Sequence, residues 1–327
     1  PCVAAGVQSQ GSDPVENYSI RLDRSPSADD VRRRYRLERS AAIAGRDAAI
    51  GEMNAAESRL RRRIPGLVIE YRDEIHSPEI IGTKPSAKFG LTARVEADRE
   101  RTLRRFIAAN LGLFGINAPQ ADKLELEIDQ PSGGGVSIVE LQQSLGGVPV
   151  FQGRIRAAFD RRNMLVRIIN GLAPGPLETA ADFGSPESAA AAAARHIGID
   201  IAESSLRRIT SDRHSVSFER NRLSDTITAE KFYFPIEHGV IRPAWRVLLW
   251  TEERAFYVIV DAVDGELLWR KNLTASQTQA STFSVYGNPY SLTRAADSPT
   301  PGTPGCPDPL TCPQPAMTGR SSFTLVG

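Results

Sequence analysis

The sequence has few of the residues that build metal centres and active sites. Its 327 residues include three cysteines and four histidines, at His76, His196, His214 and His238. No two of these histidines lie within two helical turns of each other, so the His-Glu-x-x-His zinc signature is absent, and no Cys-x-x-Cys pair is present. We therefore predict no catalytic residue, no metal ligand set and no cofactor in this segment.

Other catalytic and binding signatures are absent as well. The sequence has no Gly-x-Ser-x-Gly elbow, and its glycine run at 133–135 precedes a strand pattern, whereas a phosphate-binding loop precedes a helix. No run of about 18 apolar residues is present, so no transmembrane helix is predicted. The formal net charge of +1 gives the chain no electrostatic preference for nucleic acid or an anionic membrane, and we expect neither partner.

Two of the cysteines are close in sequence. Cys306 and Cys312 enclose the loop CPDPLTC, in which two prolines restrict the backbone. A disulfide between them is sterically possible in an oxidising compartment, and the alternative is two free thiols. Cys2 is then the odd cysteine. The chain begins at Pro1, which is compatible with removal of a secretion signal upstream of this numbering.

The N-terminal region combines a polar tail with a basic helical pattern. Residues 1–28 indicate a flexible tail, and residues 29–65 indicate one long basic amphipathic helix that ends at Pro65-Gly66. Acidic residues are interleaved with its arginines and Tyr35 is the one aromatic nearby, so a solvated or partner-facing helix is favoured over a nucleic-acid-binding one. Its narrow apolar stripe consists of Ile43, Ile50, Met53, Leu60 and Ile64.

The region 66–175 has the pattern of an antiparallel sheet with one covering helix. Strands are predicted at 67–75, 124–129 and 136–145, followed by a hairpin over 147–174. A helix capped by Asp98 precedes the strands at 124–129 and 136–145 and the hairpin, and its apolar face consists of Leu103, Phe106, Ile107, Leu111 and Phe114. In the hairpin, strict alternation places Val150 and Gln152 on one face and Phe151 on the other.

The region 176–274 repeats the plan of a helix followed by an antiparallel sheet. The Pro/Gly break APGPLE (173–178) precedes it, Ser185 and Pro186 begin an alanine-rich helix, and Asp264-Gly265 marks a hairpin between the last two strands. The predicted fold class is therefore α+β. We expect two antiparallel-sheet modules, each covered by a helix in a cystatin-like arrangement, preceded by the long N-terminal helix and followed by an irregular Pro-rich tail.

The composition changes from residue 275 onwards, where Pro, Ser, Thr and Gly dominate. The chain closes on SSFTLVG, a strand-like stretch that has no later partner in this sequence. A lone strand has nowhere to bury its apolar face, so we expect the natural polypeptide to continue.

Several stretches, in order, resemble the precursors of bacterial fungalysin-type zinc metallopeptidases. The hairpin resembles their fungalysin/thermolysin propeptide domain through Gly147, Pro149–Gln152 and Asn170-Gly171, although Asn163 stands in the turn where that family has Gly. The upstream RRFIAANLGLFGI is similar to the helix that precedes this hairpin. The stretch 243–274, with its VDAVDGELL hairpin, is similar to a PepSY domain, and SFTLVG is similar to the start of the mature peptidase.

The resemblance implies that this segment is a prodomain and contains no catalytic residue. It implies a propeptide-like domain at 66–175, a PepSY-like domain at 176–274, and a processing linker with the start of the peptidase at 275–327. Such a segment is secreted and acts as intramolecular chaperone and inhibitor, its partner being the downstream metallopeptidase domain, which carries the zinc. The candidate processing linker consists of Asn272, Leu273, Thr274, Ala275, Ser276, Gln277 and Thr278.

Two rival functions stay open on the sequence. The first is a stand-alone secreted PepSY-type protein that binds or inhibits peptidases in trans, which the reading frame beyond Gly327 distinguishes from a prodomain. The second is nucleic-acid binding through the arginine-rich helix, which predicts salt-sensitive DNA binding that is lost when residues 29–64 are deleted.

Overall fold

The computed structural model describes residues 15–38, 45–72, 74–84, 90–92, 98–131, 135–179, 182–274, 281–286 and 320–325. The chain up to Leu273 forms one compact unit, and the chain from Thr274 onwards forms another, which is described by itself. The α-helices described in the first unit are α1 (Pro26–Glu38), α2 (Arg46–Arg63), α3 (Arg99–Ala108), α4 (Leu111–Phe114), α5 (Ala118–Asp122) and α6 (Pro186–Arg195).

The strands of the first unit belong to one large, mostly antiparallel sheet. They are β1 (Tyr18–Ser19), β2 (Leu67–Arg72), β3 (Ser77–Thr83), β4 (Glu125–Gln130), β5 (Ser137–Leu145), β6 (Val148–Phe159), β7 (Leu165–Asn170), β8 (Arg208–Ser211), β9 (Ser215–Phe218), β10 (Ile227–Glu237), β11 (Val240–Trp250), β12 (Ala255–Asp261) and β13 (Leu267–Asn272). The predicted α+β class is confirmed, because helices pack on both halves of this sheet.

The sheet has two antiparallel halves that meet at one parallel contact. The first half contains β2 to β7, and the second contains β8 to β13 together with β1. Tyr233 of β10 lies opposite Val150 of β6, and this parallel pair joins the halves. The two modules that the sequence predicts are therefore continuous through their backbone hydrogen bonds.

The apolar core divides into three clusters. The first-half cluster includes Met53, Leu103, Phe106, Ile155 and Ile168. The second-half cluster packs five of the six consecutive alanines 189–194 of α6 against strands β10 to β12, because small side chains let this helix approach the sheet closely. The outer cluster lies beneath α1 and includes Ile20, Tyr35, Phe151, Phe234 and Ile259.

The local helix signals are confirmed where they rest on capping residues. The Asp98 side chain accepts a hydrogen bond from the Arg101 backbone N–H at the start of α3. Ser185 likewise accepts from the backbone N–H groups of Glu187 and Ser188, and Pro186 occupies the first position of α6. The buried face of α3 belongs to the first-half cluster, which also contains Ile155 of β6 and Ile168 of β7.

The N-terminal region differs from the prediction of a flexible tail followed by one long helix. Within the described residues, Tyr18–Ser19 pairs with β13 and Ile20 is fully buried, so the fold begins before residue 28. Within the described residues, the predicted helix over 29–65 corresponds to α1 and α2, which pack on different clusters. Residues 39–44, which include Ile43 of the predicted stripe, lie outside the described residues.

The hairpin also departs from strict alternation. Val150 and Phe151 are both buried, whereas Gln152 is exposed and adopts a φ of 57°. This bulge breaks the period of two and sends three side chains of β6 into three clusters: Val150 into the second-half cluster, Phe151 into the outer cluster and Ile155 into the first-half cluster. The predicted assignment of Gln152 to the face of Val150 is therefore wrong.

The second unit contains a two-stranded antiparallel ladder, formed by β14 (Ser281–Tyr286) and β15 (Arg320–Leu325). The strand that the sequence predicts without a later partner therefore pairs with an upstream strand. The strand β14 is not predicted from the sequence, because it lies in a stretch whose composition is typical of a linker. Cys306 and Cys312 lie outside the described residues, so their predicted disulfide stays a prediction.

The close approach at Gly171 gives a test of the β6–β7 joint. The Gly171 N–H donates to the Arg154 carbonyl at 2.7 Å, and a Cβ atom on Gly171 would lie 2.2 Å from the Gln152 carbonyl oxygen. We expect Gly171→Ala to lower the free energy of unfolding by about 2–3 kcal/mol through steric overlap with backbone, as urea denaturation measures.

Gly51→Ala is the matched control for this substitution. A Cβ atom on Gly51 meets nothing within 4 Å, and the residue lies inside α2. We expect this variant to be more stable than the parent by about 0.5–1 kcal/mol, because alanine favours a helix interior. Equal stabilities for the two variants would contradict the packing described for the bulge.

Candidate functional site

Hydrogen bonds to three other parts of the chain hold the segment that joins the two halves. The Gln143 side chain forms a reciprocal pair with Ala173: its Nε2 donates to the Ala173 carbonyl at 3.2 Å, and its Oε1 accepts from the Ala173 N–H at 2.9 Å. The Gly239 N–H donates to the Pro174 carbonyl at 2.8 Å, and the Gly175 N–H donates to the Gly115 carbonyl at 2.7 Å. The Pro/Gly break of the sequence is thus a joint that is buried from Ala173 to Gly175, and we call residues 173–176 the seam.

A second glutamine fills the bulge of β6. Gln142 is buried, and its Nε2 lies within hydrogen-bonding distance of the carbonyls of Val150 and Gly153, at 3.1 and 3.2 Å. The Arg154 Nε donates to the Gln142 Oε1 at 2.9 Å. Backbone groups that the bulge removes from the sheet ladder are therefore satisfied by one side chain.

Glycines make the close backbone contacts of the seam possible. Gly175 has a φ of 96°, and a Cβ atom there would lie 2.7 Å from the backbone of Gly239 and 3.1 Å from the His238 ring. This left-handed conformation and this spacing exclude any side chain at Gly175. The turn between β10 and β11 is consequently pressed directly against the seam.

Two neighbouring cavities open beside the seam and share Asn117, Gln120 and Pro176 as walls. The first, of about 440 Å³, extends towards Lys123 and the turn between β5 and β6. The second, of about 360 Å³, is enclosed by the first turns of α2, by α4 and by His238. We call the pair the seam cleft, and it is the candidate site in the described part of the chain.

His238 forms one wall of the second cavity and is 1% exposed. Neither of its ring nitrogens has a hydrogen-bond partner among the described residues. Burial lowers the pKa of this histidine, and the positive charges of Arg46 and His76 lower it further. The ring is therefore neutral at pH 7 and lies unpaired in the wall.

Charged residues beside His238 attach the N-terminal helices to the second half. Glu237 is buried and receives the Nε of Arg36, from α1, at 2.7 Å, while Arg46, from α2, lies 3.6 Å from its other oxygen. Two residues earlier in α1, Arg34 pairs with Asp264 at 2.6 Å. These arginines contact carboxylates of the same chain.

The C-terminal end of α1 is attached beside the β12–β13 turn. Arg242 donates to the buried Asp261 at 2.6 Å and also pairs with Glu38, the last residue of α1. Its guanidinium lies 4.2 Å from the centre of the Tyr35 ring. The predicted Asp264-Gly265 turn is present, although the loop between the strands spans 262–266 and is longer than the two-residue hairpin that the sequence indicates.

The seam cleft was not predicted as a site from the sequence. In the sequence IEHGV, Glu237 and His238 lack the second histidine that a metal-binding signature needs. Among the described residues, no group of three or more His, Cys, Asp or Glu side chains is placed to hold a metal ion. No helix in the described part of the chain is long and apolar enough to cross a membrane.

The candidate processing linker is partly described. The Asn272 N–H donates to the Asn17 Oδ1 at 2.8 Å, and the Leu273 N–H donates to the Ala255 carbonyl at 2.8 Å, so the first two residues are held at the sheet. Thr274 follows as an exposed bend, and Ala275, Ser276, Gln277 and Thr278 lie outside the described residues. Cleavage within this linker stays a prediction.

Comparison with known proteins leaves the family open. No family model matches the chain. No curated protein matches it. Among solved structures, the C-terminal domain of YpeB from Bacillus megaterium is similar over 68% of this chain and 97% of that domain, at 8% identity and a TM-score of 0.27. A TM-score this low carries no argument about fold or function.

The reciprocal pair between Gln143 and Ala173 yields a test of the seam. Gln143→Met keeps the length of the side chain and leaves the buried Ala173 N–H and carbonyl unpaired. We expect it to lower the free energy of unfolding by about 2–3 kcal/mol, as measured by urea denaturation. Gln130→Ala, at an exposed position of β4, is the control and should change stability by less than about 0.5 kcal/mol. A Gln143 variant as stable as this control would show that the seam is held by other contacts.

Proposed function

We propose that this chain is the prodomain segment of a secreted fungalysin-type zinc metallopeptidase, in which 66–175 and 176–274 act as propeptide-like and PepSY-like parts. It serves as intramolecular chaperone and inhibitor until proteolysis removes it. The observation that most supports the proposal is where the residues that resemble the fungalysin-type propeptide lie in the fold. Val150 to Gln152 form the bulge of β6, and Asn170-Gly171 lies directly beside it.

These residues contribute to the fold and lie at joints of the chain. The Asn170 side chain is buried, donates to the Pro78 carbonyl at 2.7 Å and accepts from the Leu172 N–H at 3.1 Å. Asn163, which replaces the family's Gly, has a φ of 56°, a conformation that Asn tolerates better than most residues. A segment whose distinctive residues shape a rigid body suits a protein that acts by fitting a partner.

The tether supplies the physical basis of inhibition. A covalently attached prodomain acts at a millimolar effective concentration, so a modest interface is enough to cover the cleft of its own peptidase. A cut between Thr274 and Thr278 would leave Asn272 and Leu273 hydrogen-bonded to the body and would remove this advantage. The zinc and its ligands belong to the downstream domain in this proposal.

The alternative is a stand-alone PepSY-type inhibitor that acts in trans. It gains support from the pairing of β15 with β14, because the last strand then has its ladder partner within this chain. The reading frame beyond Gly327 separates the two: an open frame that encodes His-Glu-x-x-His supports the prodomain, and a stop codon supports the inhibitor.

Refolding the downstream peptidase domain with and without chain 1–327 tests the proposal. We expect the added chain to raise the yield of active peptidase and then to inhibit the folded enzyme when present in large excess, because the tether is absent from this assay; a fluorogenic peptide assay measures both effects. Chain 1–327 alone should bind far less than one equivalent of zinc and hydrolyse no peptide.

The Gly171→Ala variant is the internal control, because a loosened body should inhibit less well than the parent at the same added concentration. Zinc-dependent proteolysis by purified 1–327 would contradict the proposal. So would a downstream domain that folds at the same yield and keeps full activity in the presence of the chain.

A further inference from the structure

The seam brings four parts of the chain against one unpaired histidine. His238 stands in the β10–β11 turn, its ring lies against Gly175 of the seam, and the same cavity is lined by Gly45 and Ala49 at the start of α2. Glu237, the preceding residue, holds Arg36 of α1. Any change in the charge of this ring therefore acts where both N-terminal helices meet the second half.

The surroundings of the ring favour its neutral form. The charged and titratable groups that line the cavity or act on the ring come from four elements: Arg46 and Glu52 of α2, His76 of the β2–β3 turn, Glu237 of β10 and Arg36 of α1. Glu237 is the carboxylate adjacent to the ring, and it is already shared by Arg36 and Arg46. A proton on His238 would add a positive charge beside Glu237, which already forms ion pairs with two arginines.

Burial increases the free-energy cost of protonating His238 in the closed form. Both ring nitrogens are shielded from solvent and lack hydrogen-bond partners among the described residues, so an imidazolium there would lose its hydration without gaining an acceptor. Opening the cavity, by contrast, lets the ring protonate in water at its ordinary pKa of 6.5. The closed form is thus fully stable above this pKa and loses stability as the pH falls below it.

We propose that His238 is an acid-sensitive latch: below pH 6.5, protonation of this residue shifts the seam towards a state in which α1 and the start of α2 have separated from the β10–β11 turn. The latch does not depend on the proposed function. The ring has its ordinary pKa in the open state and stays unprotonated in the closed state. Lowering the pH to 5 therefore raises the ratio of open to closed molecules by up to about 30-fold.

Hydrogen exchange of the full chain at pH 7 and pH 5, corrected for intrinsic exchange rates, tests the latch. We expect the opening equilibrium of α1, of the first turn of α2 and of the seam to rise by about 10- to 30-fold at pH 5. Amides of β12 and α6, which do not touch the cleft, should change by less than about threefold. A uniform rise across all of these segments would overturn the proposal, because it would report global unfolding.

Two variants assign the effect to one ring. His238→Phe cannot titrate and should remove the pH dependence of opening, whereas His214→Gln, which removes a histidine that does not line the second cavity, should behave like the parent. A His238→Phe variant that keeps the parent's pH dependence would overturn the latch.

Nuclear magnetic resonance of the four histidine rings keeps the test decisive even if His238→Phe fails to fold. The His238 ring should titrate with a midpoint below 6.5, with exchange broadening of seam amides over the same pH interval. A midpoint at or above 6.5 would overturn the proposal, because protonation would then favour the closed form.

Discussion

The bulge in β6 is the constraint on which the rest of the structure depends. Over six residues this strand places Val150, Phe151 and Ile155 in three separate apolar clusters, which no strand of strict alternation could do. The bulge needs Gln142 to satisfy its carbonyls and needs Gly171 beside it, because any side chain there would overlap the Gln152 carbonyl. The parallel contact with β10 begins at the same place, so the two halves of the sheet are joined where the strand is distorted.

The N-terminal helices complete this joint from outside. The helix α2 packs Met53 and Leu60 into the first-half cluster, whereas α1 covers the outer cluster of the second half. The aromatic stack of Phe151 on Phe234, with ring centres 5.4 Å apart, lies beneath α1. One polypeptide segment therefore binds both halves, and its arginines serve as ion-pair partners for Glu237 and Asp264. The acid-sensitive latch is placed where these helices, the seam and the β10–β11 turn converge.

Local features of the fold were predictable because short-range chemistry decides them. The caps at Asp98 and Ser185 and the apolar face of α3 follow from spacing along the chain. The bulge, the packing of α1 and α2 on different clusters and the pairing of β14 with β15 depend on contacts between distant segments, which periodicity does not encode. The seam cleft was missed for the same reason: Gln143, Gly175 and His238 carry no motif, and only the fold brings them together.

We expect the two sheet halves to unfold as one cooperative body, because the parallel pairing of β6 with β10 joins them. Native-state hydrogen exchange in increasing urea measures this directly, by comparing amides of β5 in the first half with amides of β11 in the second. The account predicts that both sets converge on the same free energy and the same urea dependence, because one global opening exposes them. Two distinct plateaus, with one half exchanging while the other stays protected, would contradict it.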